Sequence, residues 1–492
     1  MKILKSINKY LFLSFLMIGV SSCGDDFLEG NSSNIVTGTE MEEGEALENA
    51  KSYLSGCYTL LFNQDIIGLQ EYHDDFSLRA IMLATDVMAE DIAMPNGFMF
   101  DFDYENGNRG VGYRRTRTMW KQMYKIIFQA NETLKILESM EDPTDEAVRM
   151  TGEAKALRGY LYFILINLYQ QPYQIDKDAP GIPIYTTTEA KRGRNPVSEV
   201  YDLILSDLTS AYEILKGRGI STPVEMNEYT VAGMLARVLC FVNDYPNQWQ
   251  EVAKYADSAT RGKPLLDNAG MLAGFNSIST NEVIWGSAIN DETNTYYASF
   301  MSIIDPMSIG YAPMGYFLCI ASELHNKIDP NDIRFQWFVD VPSPSANGVP
   351  MPRGTALKFK DVSKSLSSDY IYMRTAEMYY LKAEALYLAN DQPGARAALE
   401  DVMTTRLSGY SAIDLSGDAL LKEIRIQKRI EMWGDGFRLF DMKWRVEDMD
   451  RRGSTNHVQT YPLFIEANGV DWVFPIPQVE MDANIEITEN NP

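Results

Sequence analysis

The chain has 492 residues, 45% apolar and 11% aromatic, with 44 Lys and Arg against 68 Asp and Glu for a formal charge of −24. That is enough apolar material for one large folded domain or two ordinary ones. So acidic a chain repels phosphate backbones, which argues against nucleic acid as a partner, and it offers anionic lipid surfaces nothing to hold.

The amino end carries Lys2, Lys5 and Lys9 and no acid, then an apolar run from Tyr10 to Val20 broken only by Ser14 and Gly19. This is the basic and apolar pattern of an export signal. The run is too short for a membrane span, which needs about 20 apolar residues. Val20-Ser21-Ser22-Cys23 then resembles a bacterial lipobox: small residues fit a narrow protease site and the thiol takes a diacylglycerol. Residues 1–22 therefore read as a signal peptide and Cys23 as the lipidated first residue of the mature chain. Two or more acyl chains anchor a protein stably where one does not. Losing the three leader lysines takes the charge from −24 to −27, so attachment must rest on the lipid. Gly24-Asp25-Asp26 is similar to a surface-export signal of some Gram-negative lipoproteins, the alternative being a plain solvated tether. Residues 23–40, polar and including Asn31-Ser-Ser-Asn34, read as that flexible tether.

Beyond it the chain is strongly helical. Trp120, Met123, Ile127, Ala130, Leu134 and Leu137 lie on one helix face. Asp142-Pro143-Thr144 breaks the pattern, and Thr144 is placed to cap a second helix running to about Tyr169. Residues 172–195 have no helical period. Asn195-Pro196 starts another helix, with Pro at a first-turn position, and a further pair covers roughly 227–243 and 248–260. The stretch 262–366 is rich in Gly, Pro, Ser and aromatics. Only Glu282-Val-Ile-Trp-Gly286 looks like a strand there, and the rest reads as long ordered loops, which in a folded protein are usually functional. A helix is predicted from Asp369, with Ile371, Met378, Leu381, Ala385 and Leu388 on one face. After a tight turn at Asn390-Asp-Gln-Pro-Gly394 a second helix carries Ala395, Ala398, Leu399 and Val402. Helix, turn, helix within about 37 residues approaches the tetratricopeptide period, with Tyr380, Ala383 and Tyr387 near its large-small-large positions. Ser416 starts another helix reaching Trp433. About four such hairpins, split between the two ends of the chain, are expected to stack into one scaffold.

Cys57, Cys240 and Cys319 form no CxxC pair and are odd in number, which points to buried free thiols. His73, His325 and His457 are scattered without zinc-type spacing and are read as structural. No metal or cofactor is expected.

The C-terminal third carries the most specific text. Arg429-Ile-Glu431-Met-Trp-Gly-Asp435-Gly436-Phe-Arg438-Leu-Phe-Asp441 resembles a signature of the SusD/RagB family of outer-membrane nutrient-binding lipoproteins. Tyr372-Met-Arg374-Thr-Ala376-Glu377 through Ala383-Glu384-Ala385, Phe474-Pro-Ile476-Pro477 with Asn484, Ala84-Thr-Asp86-Val-Met88, and Trp120, Tyr124, Ala130, Asn131 and Leu134 also match the family in order. Departures are local: Gln427-Lys428 where Glu-Arg is common, Trp444-Arg445 in reversed order, and Asn484-Ile485 in place of Asn-Pro. The resemblance implies a mostly α, SusD-like fold: a scaffold of degenerate tetratricopeptide-type hairpins with a loop-rich binding region and few short strands. It implies a single domain over 41–492, with an N-terminal part at about 41–220 and a C-terminal part at about 280–492. Within the signature, Arg429, Glu431, Arg438 and Asp441 alternate in sign within reach of one another. They read as a partly buried, paired network fixing the turn at Asp435-Gly436, since charges beside Trp433, Phe437 and Phe440 need partners. A catalytic Glu431–Asp441 pair would leave the arginines unexplained.

By resemblance the protein is no enzyme. It is expected to be a lipid-anchored lid on the extracellular face of the outer membrane, capturing glycan and closing it over a SusC-like TonB-dependent transporter. The same resemblance leaves open a peptide-binding lid; a surface glycoside hydrolase and a tetratricopeptide adaptor are further alternatives. Sugar faces stack on rings and hydroxyls need polar partners. Front-region candidates are Tyr72, Arg79, Asn96, Phe98, Phe100, Phe102 and Tyr104; central candidates are Asn290, Asn294, Tyr296, Tyr297, Tyr311, Tyr316 and Trp337. Tyr296-Tyr297 leads, because it follows the polar stretch Asn290 to Thr295, where nothing helical demands a buried ring. Core packing is the competing reading for each ring.

Overall fold

The computed structural model describes residues 43–63, 72–107, 109–186 and 192–491. The signal segment, Cys23 and the tether at 23–40 lie outside the described residues. Among those described, eleven helices reach eight residues: α1 Glu43–Leu60, α2 Leu78–Val87, α3 Arg114–Glu138, α4 Asp145–Tyr169, α5 Val197–Leu215, α6 Glu228–Leu239, α7 Gln248–Thr260, α8 Thr375–Leu388, α9 Gln392–Met403, α10 Gly417–Glu431 and α11 Arg438–Arg445.

Their boundaries follow local chemistry. Thr144 caps α4 by accepting the Ala147 amide at 3.2 Å, and Asp145 and Glu146 add negative charge at the positive helix end. Pro196 immediately precedes α5, where a missing N–H costs nothing. Asn227 caps α6 through the amides of Tyr229 and Thr230. Asp391 caps α9 through Gly394 N, with Pro393 in the first turn. Every residue of α4 from Ala156 to Tyr169 is buried, because α3 and α5 pack against it. Among the described residues no helix is long and apolar enough to cross a membrane.

Helices pack in chain order from α3 to α7; α7 then packs on α8, and α8 on α9 and α10. The hairpins before residue 262 and those after 374 thus share one scaffold. Tyr380 and Ala383 are buried in a core with Ala395, Leu399, Val402, Leu420 and Ile424, and Tyr387 packs on its edge.

The strands are β1 Ile92–Ala93, β2 Val283–Ser287, β3 Cys319–Ile320, β4 Ser343–Pro344, β5 Pro350–Met351, β6 Tyr370–Arg374, β7 Met449–Asp450 and β8 Phe464–Ile465. They form antiparallel pairs β1–β3, β2–β6, β4–β5 and β7–β8. β2 confirms the strand expected at 282–286. β6 corrects the helix expected from Asp369: Ile371 belongs to a strand, and the helix starts at Thr375. Tyr370-Ile-Tyr is aromatic and β-branched, buried on both faces, and suits a strand. Its partner lies some ninety residues back, where a local periodicity cannot see it.

The signature residues are paired, but not with one another as expected. Glu431, fully buried, faces Arg334 (3.4 Å), Arg374 (3.1 Å) and Arg406 (3.1 Å). Arg374 also meets Glu282 and Asp435, Arg406 meets Glu282, Arg334 meets Asp332, and Lys358 meets Asp435. Four acids and four cations balance, which is the condition for charges in an interior. The surrounding arginines hold the Glu431 carboxyl far below the usual range despite its burial. Arg429 instead reaches Asp91 at 3.0 Å, Arg438 reaches Glu90, and Asp441 is met by Lys428 at 2.7 Å. The turn itself needs glycine: Gly436 has φ +98°, and a Cβ there would stand 2.3 Å from the Cβ of Met82. Cys57, Cys240 and Cys319 are free and buried, and burial pushes all three thiols well above their ordinary range.

Candidate functional site

The β1–β3 pair sets Ile92 opposite Ile320 and Ala93 opposite Cys319. Antiparallel pairing therefore runs the segment after β1 alongside the segment before β3. Beneath them Ala93, Phe317, Cys319, Val339 and Met351 form a small apolar core. Asn96 ties the two loops by donating to the Gly315 carbonyl at 3.0 Å.

This register places the half-buried ring of Phe98 on Tyr316, stacked at 4.2 Å between centroids and 20° between planes. Tyr311 tilts against the same Phe98 at 4.7 Å, and Tyr297 meets Tyr311 edge-on at 5.6 Å. His73 completes the row: its Nδ1 and the Tyr311 hydroxyl share a hydrogen bond. Tyr311 is fixed from behind, its amide donating to the Ser302 carbonyl at 2.8 Å. Gly310, at φ +120°, allows this approach, since a Cβ would lie 2.5 Å from Ser302 Oγ. The result is a continuous aromatic platform, Tyr316–Phe98–Tyr311–Tyr297, built from both halves of the chain. Tyr297 is 41% exposed, and exposed Met307, Ile309 and Met314 lie in the same central segment. Half-exposed rings on a fixed backbone present flat apolar faces already desolvated on one side and ordered, which suits sugar stacking.

Other candidates stand apart. Exposed Tyr72 lies under the Arg114 guanidinium, 4.1 Å from its ring centre, and Arg114 pairs with Asp74. Among the described residues Tyr296 is the most exposed large ring, at 63%, and has φ +50°; Asn294 accepts its amide and also donates to the Ser365 carbonyl at 2.7 Å. Asn290 uses its side chain to close its own turn through the amides of Glu292 and Thr293. Exposed Phe102 faces Tyr113.

Four expected ligand contacts are structural instead. Arg79 is buried over Phe300 and donates to the carbonyls of Gly434 (2.7 Å) and Asp435 (3.2 Å). Phe100 is buried against Phe76. Tyr104 is buried, its hydroxyl bonded to His457 at 2.6 Å. Trp337 is buried and donates to the Met271 carbonyl at 2.8 Å. The sequence reading missed His73, taken as purely structural, along with the three exposed apolar side chains and Arg114. A hydrolase pair at Glu431 and Asp441 has no support, since cations neutralise each at its own place.

A larger cleft, about 780 Å³, lies between Ser322–His325, α10 and α11 and is lined by Arg425, Arg429, Arg438 and Arg445. It shares no lining residue with the platform. Its arginines are taken up by Glu90, Asp91, Glu384 and Glu447, so it reads as a brace rather than a receptor. Size alone is a poor guide here, because a shallow stacking surface encloses little volume.

Residues 61–239 match a family model described as starch-binding and associating with the outer membrane, and residues 344–492 match that of the SusD family. SusD-like protein P2 of Formosa agariphila is 23% identical over 415 residues, covering 76% of this chain and 79% of its own. Among solved structures, a SusD-like carbohydrate binding protein from Bacteroides vulgatus superposes with a TM-score of 0.79 at 23% identity, covering 90% of this chain and 97% of that one. A SusD superfamily protein from Bacteroides thetaiotaomicron gives 0.76 at 22% identity, covering 91% and 99%. Surface glycan-binding protein A from Bacteroides fluxus gives 0.69 at 15% identity, covering 90% and 99%. These likenesses fix the fold as a mostly helical one with few short strands.

Proposed function

The chain belongs to the SusD family, and on that premise we propose that it is a non-enzymatic surface lipoprotein that captures glycan and passes it to a SusC-like TonB-dependent transporter, for which it serves as the lid. The observation that carries this reading is the platform of Phe98, Tyr311, Tyr316 and Tyr297. Covering roughly 100 Å² of one ring with a sugar face contributes about 2.5 kcal/mol. Two or three rings reach the roughly 4 to 8 kcal/mol of a millimolar to micromolar capture site. The names of the relatives, carbohydrate-binding and surface glycan-binding, agree with this. Cys23 supplies the anchor in the outer membrane, and the tether at 23–40 gives the lid room to swing.

The test is a broad glycan array probed with protein in which Cys23 is replaced, alongside co-purification of the native lipoprotein from membranes. Glycan binding and recovery of a large outer-membrane protein are expected. Binding of mixed oligopeptides, insensitive to sugars, would replace glycan by peptide; carboxylate-dependent turnover of a polysaccharide would overturn the non-enzymatic reading.

A further inference from the structure

The segments that supply rings to the platform are almost without cations. No Lys or Arg occurs between residues 264 and 326, the stretch that holds Tyr297, Tyr311 and Tyr316. Between residues 52 and 108, which hold Tyr72, His73 and Phe98, the only one is Arg79. Arg79 is buried, aimed at the Gly434 and Asp435 carbonyls. The next cations downstream are equally engaged: Arg109 donates to Asn106 and lies over Phe474, Arg114 pairs with Asp74 and covers Tyr72, and Arg115 is buried between Asp74 and Asp103. Lys364, exposed next to Ser365, borders the Asn294–Tyr296 turn, but the same turn carries exposed Asp291 and Glu292. Elsewhere the chain places guanidinium groups freely, as the cleft beside α10 and α11 illustrates.

Given the glycan reading above, on which this rests, we infer that the platform selects uncharged polysaccharides and rejects those bearing sulfate or carboxylate groups. Sulfates and uronates need charge-assisted partners once water is displaced. Here they would meet spent cations and the field of a chain with 24 more acids than bases. Neutral sugars need only the rings and neutral donors and acceptors such as the tyrosine hydroxyls.

The full chain, purified in detergent, is titrated with matched pairs of polysaccharides: dextran and dextran sulfate, amylose and carboxymethyl amylose, and neutral and sulfated galactan. For any backbone that binds, the charged form should bind at least about ten-fold more weakly, and added salt should narrow the gap by screening the repulsion. Met314→Lys, which adds a cation beside Tyr311 and Tyr316, should narrow it as well. Equal or tighter binding of the charged form, or binding that weakens with salt, overturns the inference while leaving glycan capture intact. Binding of no backbone in either form brings down glycan capture and this inference together.

Discussion

Asp86 accepts the amide of Gly436 at 2.8 Å, a hydrogen bond that spans 350 residues of sequence, and accepts Arg438 N at 2.9 Å with its other oxygen. Both partners of this carboxylate are backbone groups inside the core. Asp86→Asn keeps one acceptor and turns an NH2 toward the other amide. It should cost about 1 to 3 kcal/mol, read as a lower midpoint in urea denaturation.

Single-ring deletions should separate platform from packing. Phe98→Ala, Tyr311→Ala and Tyr316→Ala should each lose on the order of 2 kcal/mol of glycan affinity, roughly thirty-fold in Kd, by isothermal calorimetry. Phe102→Ala removes a more exposed ring that faces Tyr113 instead, and its Kd should match that of the unmodified chain. If Phe102 mattered as much as Phe98, the platform would be misplaced.

Removing one member of the interior charge network should be far more damaging. Glu431→Gln leaves Arg334, Arg374 and Arg406 short of their shared carboxylate. Breaking a buried pair in this way costs about 3 to 5 kcal/mol, visible as a large drop in Tm or loss of soluble protein.

His457 gives the fold an acid-sensitive point. Its Nε2 faces the Glu90 carbonyl at 3.0 Å and its Nδ1 faces the Tyr104 hydroxyl, so the neutral ring donates at Nε2 and accepts at Nδ1. Burial, reinforced by Arg451, lowers its pKa to about 4. The folded state binds the proton less readily than the unfolded one. The stability that His457 contributes is therefore complete above about pH 6.5 and is lost as pH falls through about 4. Tm should decline across this window by an amount reflecting at most about 3 kcal/mol, and His457→Gln should flatten that part of the profile.

Where chemistry is local, sequence reading reached the fold closely: Thr144 caps its helix as expected, and the helix expected from Asn227 and the one expected after the Asn390–Gly394 turn form, capped by Asn227 and Asp391. It failed at Ile371, whose strand partner is remote. The site shows the same divide. Phe98, Phe100, Phe102 and Tyr104 alternate along the chain and look like one face of an extended segment. Met99 turns the backbone to φ +64° and Asp101–Glu105 coils into a helical turn. Phe100 and Tyr104, four apart, then point inward together, while Phe102 points out. The exposure of Tyr296 and Tyr297 was legible because the polar stretch before them leaves a ring little core to join. The meeting of Tyr311 with Phe98 depends on a two-residue strand pair that carries no sequence signal of its own.

The three buried thiols offer a direct test of the proposed lipidation of Cys23. Of the four cysteines in the chain, Cys57, Cys240 and Cys319 are sealed inside and poor thiolates, so a maleimide reaches them only after unfolding. If Cys23 is acylated as proposed, a native preparation that takes up label carries it at an unacylated Cys23. One that takes up none until denatured, and then three equivalents, would have been processed to completion.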